Sequence, residues 1–161
     1  HKRAIKLDKK NFQSFYSLGV VYTHLKNYEK AIENYKKALS LDSESSVAHN
    51  NLANIYNNFN PNLAEEHYLK VLELTPNDAM PYINISNYYL KNTKYKKCVK
   101  ILEEAFDKAI KVKELYNNLG IAYYATKDNV KAKSMFELAI KIDPEYAHAI
   151  DNLNNINKSV Q

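Results

Sequence analysis

Five histidines, one cysteine, an adjacent glutamate pair and a recurring set of asparagines are the side chains of this 161-residue chain best equipped for chemistry. The histidines, His1, His24, His49, His67 and His148, are scattered, and none stands beside Cys98 at a spacing that would build a metal site. Glu65-Glu66 has no partner in sight for acid-base work, and no glycine-rich phosphate loop or nucleophile motif is present. No catalytic residue, metal or cofactor is therefore expected, and the chain does not read as an enzyme. The asparagines are different. Asn51, Asn84, Asn118 and Asn152 return at intervals of 33 or 34 residues. Each carboxamide carries a donor and an acceptor, the pair needed to meet the C=O and N–H of another backbone.

That interval belongs to the whole chain. Leu18-Gly19 with Tyr22 returns as Leu52-Ala53 with Tyr56, as Ile85-Ser86 with Tyr89 and as Leu119-Gly120 with Tyr123. A second set follows in phase: Ala31, Tyr35, Ala38; Ala64, Tyr68, Val71; Cys98, Leu102, Ala105; Ala132, Phe136, Ala139. Apolar residues at i, i+3, i+4 and i+7 make each half-unit an amphipathic helix. Small residues allow two helices to approach, and aromatic rings fill the layers between. The units run 12–45, 46–78, 79–112 and 113–146. The second is one residue short, in the turn Phe59-Asn60-Pro61-Asn62, where a deletion costs least. Residues 1–11 read as the remnant of a preceding repeat, since Ala4-Ile5-Lys6-Leu7-Asp8 matches Ala139-Ile140-Lys141-Ile142-Asp143. Residues 147–161 read as a C-terminal capping helix with Ile150, Leu153 and Ile156 inward. The chain is thus expected to be one domain cut from a longer array. Asp78 and Ser46 stand where helix starts need side-chain acceptors.

The period and its conserved pattern of residue types resemble the tetratricopeptide repeat. The resemblance implies an all-α solenoid, a right-handed superhelix of antiparallel helix pairs, in which first helices line a concave surface that binds protein segments. Within that family, Ala48-His49-Asn50-Asn51-Leu52-Ala53-Asn54-Ile55 and Leu115-Tyr116-Asn117-Asn118-Leu119-Gly120 look most like the asparagine-ladder arm of O-GlcNAc transferase. Units one and three depart from it, with Ser17 and with Met80-Pro81-Tyr82-Ile83. The family's carboxylate clamp for acidic chaperone tails needs basic groove residues. Here those positions hold Tyr16, Met80 and Asn84 in one register, or Asn50, Glu114 and Asn118 in the other. A chaperone tail is therefore excluded as the ligand.

Charge divides the two helix sets. Residues 12–25, 46–58 and 79–90 contain no Asp, Glu, Lys or Arg, and the fourth first helix has only Lys113 and Glu114. An uncharged face on a solvated helix is most simply a surface to be covered. Its expected peptide-binding residues are Tyr16, Ser17, Asn50, Asn51, Asn54, Asn84, Asn87, Asn117, Asn118, Tyr124, Asn152 and Asn155. The partner expected is an extended or helical segment of another protein. The net charge of +5 does not point to nucleic acid, because Arg3 is the one arginine among 23 basic residues and the lysines form no stripe. No run of about 18 apolar residues offers a membrane span. A single cysteine leans towards a reducing compartment, so an intracellular, cytoplasmic or nuclear setting is expected. Two other roles remain open: a substrate-selecting arm of a larger enzyme such as a glycosyltransferase, and a self-associating assembly scaffold.

Overall fold

The computed structural model describes the backbone of residues 2–159 and the side chains of residues 10–158. Nine α-helices occur among the described residues: α1 Lys2–His24, α2 Tyr28–Leu41, α3 Ser46–Tyr56, α4 Pro61–Leu74, α5 Ala79–Lys91, α6 Tyr95–Asp107, α7 Lys113–Ala125, α8 Asn129–Ile142 and α9 Ala147–Ser159. The all-α class is as expected, with helices packed in antiparallel pairs. They divide into two compact units, one ending at Pro76 and one starting at Asn77. In the first, α1 packs on α2, α2 on α3 and α3 on α4. In the second, α7 is embraced by α5, α6, α8 and α9.

The small residues of the second helices are where the helix pairs close. Ala31, Ala38, Ala64, Cys98, Ala105, Ala132 and Ala139 have no exposed surface, and Tyr35 and Phe136 fill the layers beside them. Close approach is tightest at the two glycines. A Cβ on Gly19 would lie 2.6 Å from the Tyr35 ring, and one on Gly120 would lie 2.5 Å from the Phe136 ring. A methyl group at either position fits only if the ring or the helix moves.

Three of the turns within helix pairs share one device. Lys26, Thr93 and Lys127 take positive φ of 56°, 55° and 67°. Each lets the next amide reach back five residues: Asn27 N to Tyr22 O, Lys94 N to Tyr89 O and Asp128 N to Tyr123 O. The shortened repeat lacks that residue, and Asn60 N closes on Tyr56 O, four residues back, at 2.7 Å. Pro61 then starts α4 at the position where its missing N–H costs nothing. The junction 107–113, which carries no Gly or Pro, uses Ala109 at φ 59° to the same end, with Ile110 N bonded to Ala105 O.

Two capping expectations are corrected. The cap of α3 is Ser45, whose Oγ accepts from Ala48 N, and Ser46 is the first helical residue. Asp78 precedes α5 but makes no side-chain cap bond. Pro81, at the third helical position, has no N–H, which removes one of the two amides that an N-cap side chain can accept from. At the amino end, residues 2–11 do not form a separate second-helix tail: α1 continues through them without a break, because Asp8-Lys9-Lys10-Asn11 contains no helix breaker. The packing expected of Ala4, Ile5 and Leu7 lies outside the described side chains. In α9, Ile156 is buried with Ala149, while Ile150 and Leu153 are half-buried.

Candidate peptide-binding surface

The recurrent asparagines lie on the first helices, and much of their hydrogen bonding turns out to be spent between repeats. In the first unit Asn51 on α3 donates through Nδ2 to the Tyr16 hydroxyl on α1, at 3.2 Å. The Tyr16 ring is itself held between Phe12 and Tyr35, with centroids 5.9 Å away on each side. In the second unit Asn118 on α7 donates to Ser86 Oγ at 2.9 Å and to Asn87 Oδ1 at 2.7 Å, both on α5. Asn152 on α9 donates to Asn117 Oδ1 on α7 at 3.0 Å. Asn51, Asn118 and Asn152 thus tie their own helices back to the first helix of the repeat before.

Burial separates the expected site residues into two sets. Asn117 and Asn118 are only 5% and 7% exposed. Tyr16, Asn50, Asn51, Asn84 and Asn152 are half-buried, whereas Ser17, Asn54, Asn87, Tyr124 and Asn155 are exposed. Within the exposed set, Asn54 and Asn87 are oriented by neighbours. Asn54 Oδ1 accepts from the Tyr68 hydroxyl at 2.6 Å, and Asn87 Oδ1 accepts from Asn118. With each oxygen held from within, the Nδ2 amide is the end that a ligand can reach. An amide presented in this way pairs with an acceptor such as a carbonyl oxygen rather than with a cation.

An ion pair of the second unit joins the start of α7 to the end of α8. Lys113 Nζ lies 2.6 Å from Asp143 Oδ2 and 5.0 Å from the centre of the Tyr146 ring. The hydrogen bond from Lys113, with a second from Glu145 N, holds the Asp143 carboxyl below its usual range, and the same contact raises Lys113. Cys98 is buried, and desolvation pushes its thiol up to about 12. It behaves as a small packing residue.

One pairing escaped the sequence reading. His49 and His67, 18 residues apart and apparently unrelated, meet between α3 and α4 with their Nδ1 atoms 2.8 Å apart. The signal was present: both fall in the same repeat, on the facing sides of its two helices. His24 and His148 are exposed elsewhere.

The tetratricopeptide repeat profiles match residues 12–45 and 113–146. A type IV pilus assembly protein, PilF of Pseudomonas aeruginosa, is 27% identical over 81% of this chain and 53% of its own length. The chain therefore spans about half the length of that curated relative. Among solved structures, MamA superposes with a TM-score of 0.79 at 20% identity, over 93% of this chain and 82% of its own. YrrB, described as a tetratricopeptide-repeat protein with an unusual peptide-binding site, superposes with a TM-score of 0.72 at 20% identity, over 98% and 82%. At these identities the structural likeness speaks for the fold. No described helix is long and apolar enough to cross a membrane.

Proposed function

We propose that this tetratricopeptide-repeat chain, a helical protein-interaction module, holds an extended segment of a partner protein against its first helices through asparagine amides. The observation that carries the reading is the orientation of Asn54 and Asn87, exposed carboxamides whose oxygens are fixed by Tyr68 and Asn118. Ser17, Asn155 and the exposed ring of Tyr124 add polar and apolar contacts to the same helix set. Asn50, Asn51, Asn84, Asn117 and Asn152 shape and support it. The absence of charge from most of the first-helix residues makes the ligand an uncharged backbone rather than a carboxylate tail. The peptide-binding site named for YrrB supports such a use of this fold.

The test uses peptides selected by display against the whole chain, with calorimetry to measure each binding constant. Replacing Asn54 or Asn87 by Ala should weaken binding by about 0.5–1.5 kcal/mol each, the worth of a neutral hydrogen bond. Circular dichroism should stay unchanged, since both residues are exposed and Ala favours helix. Affinity untouched by both changes, for peptides that compete with one another, overturns the reading.

A further inference from the structure

We propose that His49 and His67 form a two-imidazole clip for a divalent transition-metal ion of the zinc class, on the side of α3 and α4 where their rings meet. The two rings are already placed for it. His49 Nε2 lies 3.1 Å from the Ser43 carbonyl oxygen, which can only accept, so that nitrogen carries the proton and His49 Nδ1 presents a lone pair. His67 Nδ1 lies 2.8 Å from that lone pair and donates to it. The His67 ring is in turn fixed by Tyr56, stacked at 5.7 Å with the planes only 6° apart. The two imidazoles themselves line an open cavity of about 430 Å³ with Ser43, Glu66 and Glu73 on its wall.

A tetrahedral zinc ion bonded to two imidazoles at about 2.0–2.1 Å holds their nitrogens about 3.3 Å apart. The present 2.8 Å is set by a single hydrogen bond, so the rings need open by only about half an ångström. The proton on His67 Nδ1 leaves to solvent and His67 takes one up at Nε2, so two neutral imidazoles bind the ion with no net proton release. Glu66 supplies negative charge beside His67, and Lys70, which shares the cavity wall, is paired with Glu73 at 2.9 Å. Lys36 opposes cation binding from α2. No group of three or more His, Cys, Asp or Glu side chains converges among the described residues, so water completes the coordination and the ion keeps open positions. Neutral imidazole and this geometry favour zinc, copper or nickel over magnesium or calcium, which require oxygen ligands.

The experiment titrates Zn²⁺ into the whole chain at pH 7.5 by calorimetry, beside His49→Gln and His67→Gln. Any weak zinc uptake at the other histidines is common to all three proteins. The parent should therefore show one site more than either variant, with affinity at the lost site at least tenfold weaker. Nitrogen-15 imidazole spectra of the unsubstituted chain give an independent reading that needs no variant to fold. Before zinc, His49 should show the Nε2–H form; with zinc, both Nδ1 signals should shift while those of His24 and His148 stay. Mg²⁺ should do neither. Equal zinc uptake by parent and variants, or spectral changes confined to the other histidines, overturns the proposal.

Discussion

The same repeat positions lead different lives in the two units. On α7 of the second unit, Leu119 and Ala122 are 2% and 0% exposed, and the neighbouring Asn118 is buried with two partners. On α1 of the first, the equivalent Leu18 and Val21 are 44% and 50% exposed, and Ser17 stands open. The residue types hardly differ; the neighbours do. Helices α5, α6, α8 and α9 all pack on α7, so its polar groups must find partners inside the protein. Where a helix has fewer neighbours, water or a ligand can serve instead. Whether an asparagine of this array is spent on bonds inside the protein is thus decided by how many helices pack on its own.

The largest expected effect tests that division directly. Asn118→Ala removes a buried donor to Ser86 and Asn87 and should destabilise the second unit by about 1–3 kcal/mol. Asn51→Ala removes a half-buried bond to Tyr16 and should cost only about 0.5–1.5 kcal/mol. Urea unfolding of the two variants measures both. Equal losses would mean that burial does not separate the two rungs.

The glycines sharpen the comparison at a smaller scale. Gly120→Ala and Gly19→Ala both push a methyl into an aromatic ring. Overpacking of this kind costs about 1–3 kcal/mol, and the gain in helix propensity, about 1 kcal/mol, offsets part of it. Helix α7 is held by four neighbours and cannot shift, whereas α1 can lean away from Tyr35. Gly120→Ala should therefore lower the thermal midpoint more than Gly19→Ala. A reversed order would show that the rings, not the helices, relieve the clash.

The helices, their pairing and the uncharged first-helix faces were legible because a 34-residue period exposes every apolar position several times over. The destinations of the asparagine amides were not. Their partners lie 31 to 35 residues away on a neighbouring repeat, and the pairing of Asn118 with Asn87, or Asn152 with Asn117, depends on the offset between stacked helices. The turns hid for a different reason: Lys26, Thr93 and Lys127 adopt the left-handed conformation where glycine would have announced it. That Asp78 has one amide fewer to accept from could have been read from Pro81, three residues on. The meeting of His49 and His67 required knowing which faces of α3 and α4 oppose each other.

A pH test probes a contact that one unit has and the other lacks. Asp143 and Asp42 occupy the same repeat position, and each accepts from the amide two residues on. Only Asp143 also faces a lysine; the residue corresponding to Lys113 in the first repeat is Phe12. Because the folded value of Asp143 lies below 3.8, the unfolded chain binds the proton more readily. The stabilisation is therefore complete above pH 3.8 and is lost as pH falls through the lower folded value. Lys113→Met should move the Asp143 titration, followed by carboxyl carbon shifts, back towards 3.8. No movement would mean that the turn amide alone sets it.

The smallest expected effect is at Cys98, which stands where the other repeats have Ala31, Ala64 and Ala132. All four are fully buried, and the sulfur reaches only the Ser86 carbonyl, at 3.8 Å. With its thiol pushed up to about 12, almost no thiolate exists near neutral pH. Cys98→Ala restores the residue that the other three repeats use, removes one heavy atom and leaves a small gap, so the loss should stay below about 1 kcal/mol. A disulfide reagent at pH 8 should leave the folded chain unmodified and react fully once urea unfolds it. Rapid labelling of the native chain would show that α5 and α6 part more often than their packing implies, placing the weakest seam of the second unit at that helix pair.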